Sequence, residues 1–227
     1  MEGFEDNLKF AEVVLHRTQK RLYHVLASNP TVIYLLEIRN DAFVPAWMSD
    51  NVVLMTGYET QEAIEPAWWR NRLHSEDREK TLARFASLPP GGHQVIEYRF
   101  RHKNGTYLWI RDELRVLYNP SSKPVEAVGV WSNVTEHKRV EEALQIYRAH
   151  QNKVALVLTD LVMPKIGGQE LYEMLRQVNP TVRVLPMSGY GLQETVADMR
   201  AKGAKGFVQK PFDLNDLSDA VRQALDR

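Results

Sequence analysis

Apolar and polar positions change their spacing three times along the chain, and each change predicts a different kind of element. From about Asp6 to Leu26, residues Leu8, Ala11, Val14, Leu15, Leu22, Val25 and Leu26 recur at helical spacing, and Asn29-Pro30 stops the run. This predicts a helix within residues 1–28, packed on its own domain or paired with another helix along the same stripe. From Thr31 the period falls to two. "TVIYLLEIR" and "AFVPAWMSD" open a region of short β-type runs with a polar, helical middle. "HQVIEYRFRHKNG", "TYLWIRDELRVLYNP" and "PVEAVGVWSNV" then alternate apolar and polar residues, which predicts three antiparallel strands. Asn104-Gly105 marks the first hairpin turn and "NPSSKP" the second.

After Val134 the helical period returns. "TEHKRVEEALQIYRAHQN" carries an apolar stripe of Val140, Leu144 and Tyr147, with Thr135 placed to cap it. Beyond it, strands "VALVLTD", "VRVLPMS" and "GFVQK" alternate with helices over Gly168–Val178, Gln193–Ala201 and Leu214–Leu225. That alternation implies right-handed crossovers and a parallel sheet. The division expected is an N-terminal helix (1–28), an antiparallel α+β domain (29–134), a connector helix (135–152) and a parallel α/β segment (153–227).

Composition narrows the chemistry. The 227 residues are 44% hydrophobic, and 29 basic residues balance 29 acidic ones, so no charge excess announces nucleic acid. There is no cysteine, which excludes disulfides, cysteine-based zinc or iron–sulfur sites and thiol catalysis. No run is long and apolar enough for a membrane span. The start, "MEGFEDNLKFAEVV", lacks the order of a secretory signal. A cytoplasmic protein without a membrane anchor is expected.

The middle region resembles the PAS sensor family on "WWRNRLHSEDREK", "EYRFRHKNGTYLWIRDELRV" and "GVWSNVTEHKRVEEAL". The last motif stands where that family has its exit motif, with Asn133 in place of the more usual aspartate. The resemblance implies an antiparallel sheet with flanking helices, holding a small ligand or none, and passing changes to a flanking helix. Tyr34, Trp47, Tyr98, Trp109 and Trp131 are the aromatic candidates for lining such a pocket. As aromatics of a small domain they equally suit its core. No ligand is named by the sequence, and cysteine–flavin photochemistry is excluded. His74, in "LHSEDR", reads as a turn residue rather than a haem ligand.

The final segment resembles the receiver domain of two-component response regulators. "LVLTDLVMP" supplies the phosphoacceptor position at Asp160 and the proline at Pro164. "LPMSGY" supplies the hydroxyl residue Ser188. "AKGAKGFVQKP" supplies the switch aromatic Phe207, the lysine Lys210 and Pro211, which the family holds through a cis peptide. The resemblance implies a flavodoxin-like fold and phosphoryl transfer to Asp160, with Lys210 and Ser188 on the phosphoryl oxygens. A magnesium ion would be held by Asp160 and the backbone carbonyl of Val162.

The match is partial. A receiver opens with a strand ending in an acidic pair, a helix and a second strand, and here "NVTEHKRVEEALQ" runs straight from the PAS exit motif into what resembles the receiver's second helix. Three parallel strands instead of five are expected, with Val154–Thr159 as a new apolar edge and uncovered surface around Leu217, Val221 and Leu225. No spacing argument brings Asp112-Glu113, Glu141-Glu142 or Glu76-Asp77 to Asp160, so magnesium is expected only if the segment is active. The sequence thus points to a signalling protein without catalysis of its own, in which a PAS sensor or dimerisation module is joined to a degenerate receiver. Homodimerisation through the Val154–Thr159 edge or the helices, and contact with a histidine kinase or another signalling partner, are the expected associations. The alternatives are a working phosphoacceptor at Asp160 in a phosphorelay, or a PAS small-molecule or haem sensor with the receiver remnant as scaffold. No histidine has a kinase's phosphoacceptor context, and no glycine-rich ATP-binding segment is present.

Overall fold

The computed structural model describes residues 30–39, 42–87, 92–161, 168–189 and 193–226. They form two compact units, divided between Val134 and Thr135. The helix expected within residues 1–28 lies outside the described residues.

In the first unit the order is β1 (Val32–Arg39), β2 (Ala42–Met48), α1 (Asn51–Thr56), α2 (Thr60–Ala63), α3 (Trp68–Arg72) and α4 (Ser75–Ala86). β3 (His93–Arg101), β4 (Tyr107–Tyr118) and β5 (Pro124–Asn133) follow. The strands make one antiparallel sheet in the order β2-β1-β5-β4-β3. Its closing contact sets the first strand beside the last, with Tyr34 opposite Gly129 and Val32 opposite Trp131.

Alternation decides which residues face the core. On β4, Ile110, Asp112, Leu114 and Val116 are buried, while Arg111, Glu113 and Arg115 are exposed. Ile96, Tyr98 and Phe100 on β3 and Ala127 and Trp131 on β5 share that inner face, and Val52, Met55, Trp68, Leu82 and Phe85 pack onto it from the helices. Fully burying one such large apolar side chain contributes about 1.5–3 kcal/mol. The Trp68 and Trp131 rings stack with centroids 6.2 Å apart. The turn over residues 102–106 needs its glycine, because Gly105 has φ +90° while its N–H donates to the His102 carbonyl.

His74 has a structural part, as its context predicts. Its Nδ1 accepts from the Glu76 N–H at the start of α4. One turn along, Asp77 accepts from both the backbone N–H and the guanidinium of Arg99, which ties α4 to the edge strand β3. Those bonds hold the Asp77 carboxyl below its ordinary value.

The second unit comprises α5 (Thr135–His150), β6 (Val157–Asp160), α6 (Gly168–Val178), β7 (Val184–Ser188), α7 (Gln193–Ala201), β8 (Val208–Gln209) and α8 (Leu214–Asp226). Its sheet is parallel, in the order β6-β7-β8. β7 lies between the other two, and Val184 and Leu185 are fully buried, as a strand covered on both faces requires. The apolar stripe of α5, Val140, Leu144 and Tyr147, joins Leu171, Tyr172 and Leu175 of α6 in one cluster. Tyr147 also accepts a hydrogen bond from Asn179 just after α6. On the opposite sheet face Leu185, Val208 and Ala224 form a second cluster, with Leu156, Leu217 and Val221 partly buried against it.

The first strand of this sheet is shorter than the sequence predicts. The Val154 N–H still donates to the His150 carbonyl at the end of α5, and pairing starts only where β7 does, with Val157 opposite Val184. β6 ends the sheet, with no strand on its other side among the described residues. Leu158, in phase with Leu156, is 45% exposed there.

Candidate functional site

Among the described residues two places gather chemically active side chains, and each is set by where strands end or which face they present. In the second unit the parallel register aligns strand ends. Asp160 closes β6 opposite Met187, and Ser188 closes β7 opposite Gln209. The next residue on the third strand is Lys210, whose N–H donates to the Ser188 carbonyl at 2.6 Å. Three apolar strands therefore deliver an aspartate, a serine and a lysine to one edge, the carboxyl end of the sheet where α/β folds place their sites.

The Lys210 ammonium donates to Asp160 Oδ2 at 2.5 Å. Both side chains are partly solvated, at 41% and 33% exposure, so the pair is worth at most about 1 kcal/mol. Ser188 is fully buried, and its hydroxyl donates to the Gly189 carbonyl. Phe207 is half-buried against the α5–α6 cluster. The Lys210–Pro211 peptide is cis. Gly168 opens α6 so close to β6 that a Cβ would lie 2.2 Å from the Asp160 carbonyl oxygen, which excludes any side chain there. Val162 and Pro164, which the sequence also assigns to the site, lie outside the described residues.

A magnesium ion, which the resemblance implies here, demands near-octahedral oxygen coordination with carboxylate help. Among the described residues no three His, Asp or Glu side chains come close enough together to hold a metal ion. The Asp160 carboxylate is in contact with an ammonium. The donor set among the described residues does not fit a magnesium site. What the arrangement provides is a partly solvated carboxylate–ammonium pair beside a buried hydroxyl.

The first unit holds the other site, a cavity of about 1020 Å³ between the inner sheet face and the helices. Its wall is mostly apolar, with Leu36, Ile38, Phe43, Met48, Leu82, Phe85 and Val116 among the lining residues. Tyr34, Trp47 and Trp131, expected as pocket aromatics, all line it. Trp47 stands at its rim, 45% exposed. Tyr98 lies behind the wall, fully buried.

Trp109, the fifth pocket candidate, is a correction. It follows the outward phase of β4, one residue out of step with Asp112, and pairs with Arg99 on β3. The Arg99 guanidinium sits over its ring at 5.5 Å. Residue type suggested the pocket; the two-residue period puts Trp109 on the opposite face.

The polar centre of the cavity was not singled out from sequence. Asp112 is 1% exposed and lines the cavity. Its Oδ1 accepts from the Tyr34 hydroxyl at 2.7 Å and its Oδ2 from the Tyr98 hydroxyl at 2.8 Å. Tyr98 in turn accepts from the Trp69 indole N–H at 3.0 Å. Tyr34 reaches across β5 to make its bond, and only glycine permits that crossing. A Cβ on Gly129 would lie 2.0 Å from the Tyr34 ring. Burial pushes the Asp112 carboxyl up to about 6, against the opposing pull of Tyr34, Tyr98 and Trp131. The Trp131 N–H also favours the charged carboxylate, although it reaches no acceptor at hydrogen-bond geometry. Burial beside that carboxylate drives the Tyr34 and Tyr98 hydroxyls well above their ordinary value, so both remain donors. The signal that would have found Asp112 was available: an acidic residue in the apolar phase of "WIRDELRVL".

Comparison with known proteins follows the same division. The PAS fold family matches residues 45–131 and the response regulator receiver domain family matches residues 123–222. Residues 123–131, claimed by both, fall in the turn and β5 of the antiparallel sheet and so belong to the first unit. The chain is 31% identical over 132 residues to the two-component sensor PprA of Pseudomonas aeruginosa, covering 56% of this chain and 14% of that protein. It is 33% identical over 86 residues to the sensor kinase CckA of Brucella abortus, covering 38% of this chain and 9% of that protein. Over 91 residues it is 32% identical to the chemotaxis protein CheY of Listeria monocytogenes, covering 40% of this chain and 75% of CheY. The chain thus spans under a sixth of the two sensor proteins and three quarters of CheY.

Proposed function

The chain belongs to the response-regulator receiver family of two-component signal transduction, with a PAS domain preceding the receiver part, and from that premise we propose that it signals by contact rather than by phosphoryl transfer. In this reading the PAS unit is the sensing input, α5 carries its state onward, and the receiver part is a truncated docking module. The observation that carries the reading is the donor set at Asp160. Its carboxylate is engaged by Lys210 and lacks, among the described residues, the acidic cluster that would bind the neutralising metal. Phosphoryl transfer to a carboxylate needs incoming charge neutralised, and Lys210 supplies one positive charge where the chemistry uses a cation and a lysine together. A titration with magnesium, read on the amide signals of Asp160, Ser188 and Lys210, tests this. No saturating shift is expected at millimolar magnesium, and saturation there would contradict the reading.

The docking surface in this reading is the outer edge of β6, which carries no further strand among the described residues, with the exposed Leu158, and its partner is a second copy of the chain or a histidine kinase or other signalling protein. An edge strand whose one charged residue, Asp160, stands at its end and which has no proline is a template for strand addition. Light scattering at micromolar concentration should give a dimer mass that falls to the monomer in Leu158→Lys. A monomer throughout would remove the homodimer from this account. No helix among the described residues is long and apolar enough to cross a membrane.

A further inference from the structure

The cavity of the first unit contains a charged group that the receiver chemistry does not use. Asp112, 1% exposed, lines a mostly apolar space. Among the described residues its hydrogen-bond partners are two neutral phenols, and the only other group that favours its charge is a neutral indole. No ammonium, guanidinium or imidazole of the described residues pairs with it. A carboxylate buried this way carries a desolvation cost that only a nearby positive charge offsets well. Each carboxylate oxygen has a second lone pair beyond the one its tyrosine uses. The acid therefore still has acceptor capacity.

The surroundings suit a positive charge. Tyr34 and Trp131, whose rings meet edge to face at 5.8 Å, line the cavity beside Asp112, and Trp69 lines it as well. Aromatic faces attract cations, more strongly once desolvated. The remaining ionisable lining residues of opposite charge, Glu65 and Arg70, are both exposed. They place one charge of each sign toward solvent and leave Asp112 uncompensated.

We propose that this cavity binds a small aromatic or alkyl molecule carrying a protonated amine, with the amine on the Asp112 carboxylate and the apolar body against Phe43, Leu82, Phe85 and Val116. This deepens the sensing role assigned to the PAS unit and rests on it. The amine donates hydrogen bonds into lone pairs that Tyr34 and Tyr98 leave open, and Tyr34 and Tyr98 hold the carboxylate fixed toward it. A charge-assisted bond of this kind is worth roughly ten- to a hundredfold in affinity over a neutral donor.

Calorimetric titration of the full chain with matched pairs, tryptamine against tryptophol, phenethylamine against phenethyl alcohol and octylamine against octanol, tests the proposal. At pH 8 at least one amine should bind about tenfold or more tighter than its alcohol. Asp112→Asn should remove that preference, with amine and alcohol then binding within about twofold of each other. On the unaltered chain, which guards against a variant that does not fold, the preference should shrink below about pH 6. Burial holds the carboxyl near that pH, and Tyr34 and Tyr98 stay protonated throughout. Equal binding of amines and alcohols, or a preference that survives in Asp112→Asn and at low pH, would overturn the amine assignment while leaving a sensing cavity. Failure of every compound in both series to bind would overturn the assignment and the sensing reading together.

Discussion

Replacing Asp112 by asparagine should make the first unit more stable at neutral pH, although it removes a hydrogen-bonded side chain from the core. The carboxyl titrates near 6 in the folded chain against an ordinary 3.8, a difference worth about 3 kcal/mol. Because the folded value is raised, the sign is fixed. The acid's full contribution is present below about pH 4, where folded and unfolded chains both hold the proton. It is lost as pH rises from about 4 to 6, while the unfolded chain ionises and the folded one does not. Above about pH 6 the folded chain carries a buried charge whose cost remains. Asparagine keeps the shape and cannot ionise. Its amide group serves one tyrosine less well than a carboxylate oxygen does, which returns about 1 kcal/mol of the gain.

The net expectation is that Asp112→Asn is more stable by about 1–3 kcal/mol at pH 7 and level with or below the unaltered chain at pH 4. Urea unfolding read by tryptophan fluorescence is the assay. All five tryptophans lie between residues 47 and 131, so the signal reports the first unit within the intact protein. Subtracting the variant's pH profile cancels the other carboxylates. Parallel profiles from pH 4 to 7, or an unaltered chain that gains on the variant as pH rises, would refute the argument that burial governs this acid.

Other expectations follow from single contacts. Gly129→Ala should destabilise the first unit by about 2–4 kcal/mol in the same assay, because the new Cβ would displace the Tyr34 ring from Asp112. Asp77→Asn should cost about 1 kcal/mol at pH 7. Its folded carboxyl is held below the ordinary value, so that cost should be present above about pH 4 and vanish as pH falls through the acid range. Lys210→Ala, breaking a partly solvated pair, should lower the stability of the second unit by less than about 1 kcal/mol, read by amide hydrogen exchange.

How much of this was legible beforehand depended on whether period or identity carried the information. The alternation in "EYRFRHKNG" and "TYLWIRDELRV" marked the hairpin and its inner face, and the structure follows it from Ile96 to Val116. The stripe Val140, Leu144 and Tyr147 marked the buried side of α5, though not that α6 of the same unit receives it. At the cavity phase outweighs identity. Trp109 has a pocket residue's identity but the outward phase of β4, whereas Asp112 stands in step with the buried Ile110 and Leu114. Neither the crossing of Tyr34 over Gly129 nor the volume of the cavity has a local signature, since both arise from β1 pairing with a strand almost a hundred residues later. The late start of β6 was equally hidden, because it is set by where β7 begins.

The central claim, that the receiver part does not work as a phosphoacceptor, is tested most directly by incubating the full chain with radiolabelled acetyl phosphate and magnesium beside Asp160→Asn. The account expects both proteins to retain the same background label. Stable, near-stoichiometric label on the unaltered chain that disappears in Asp160→Asn would contradict it.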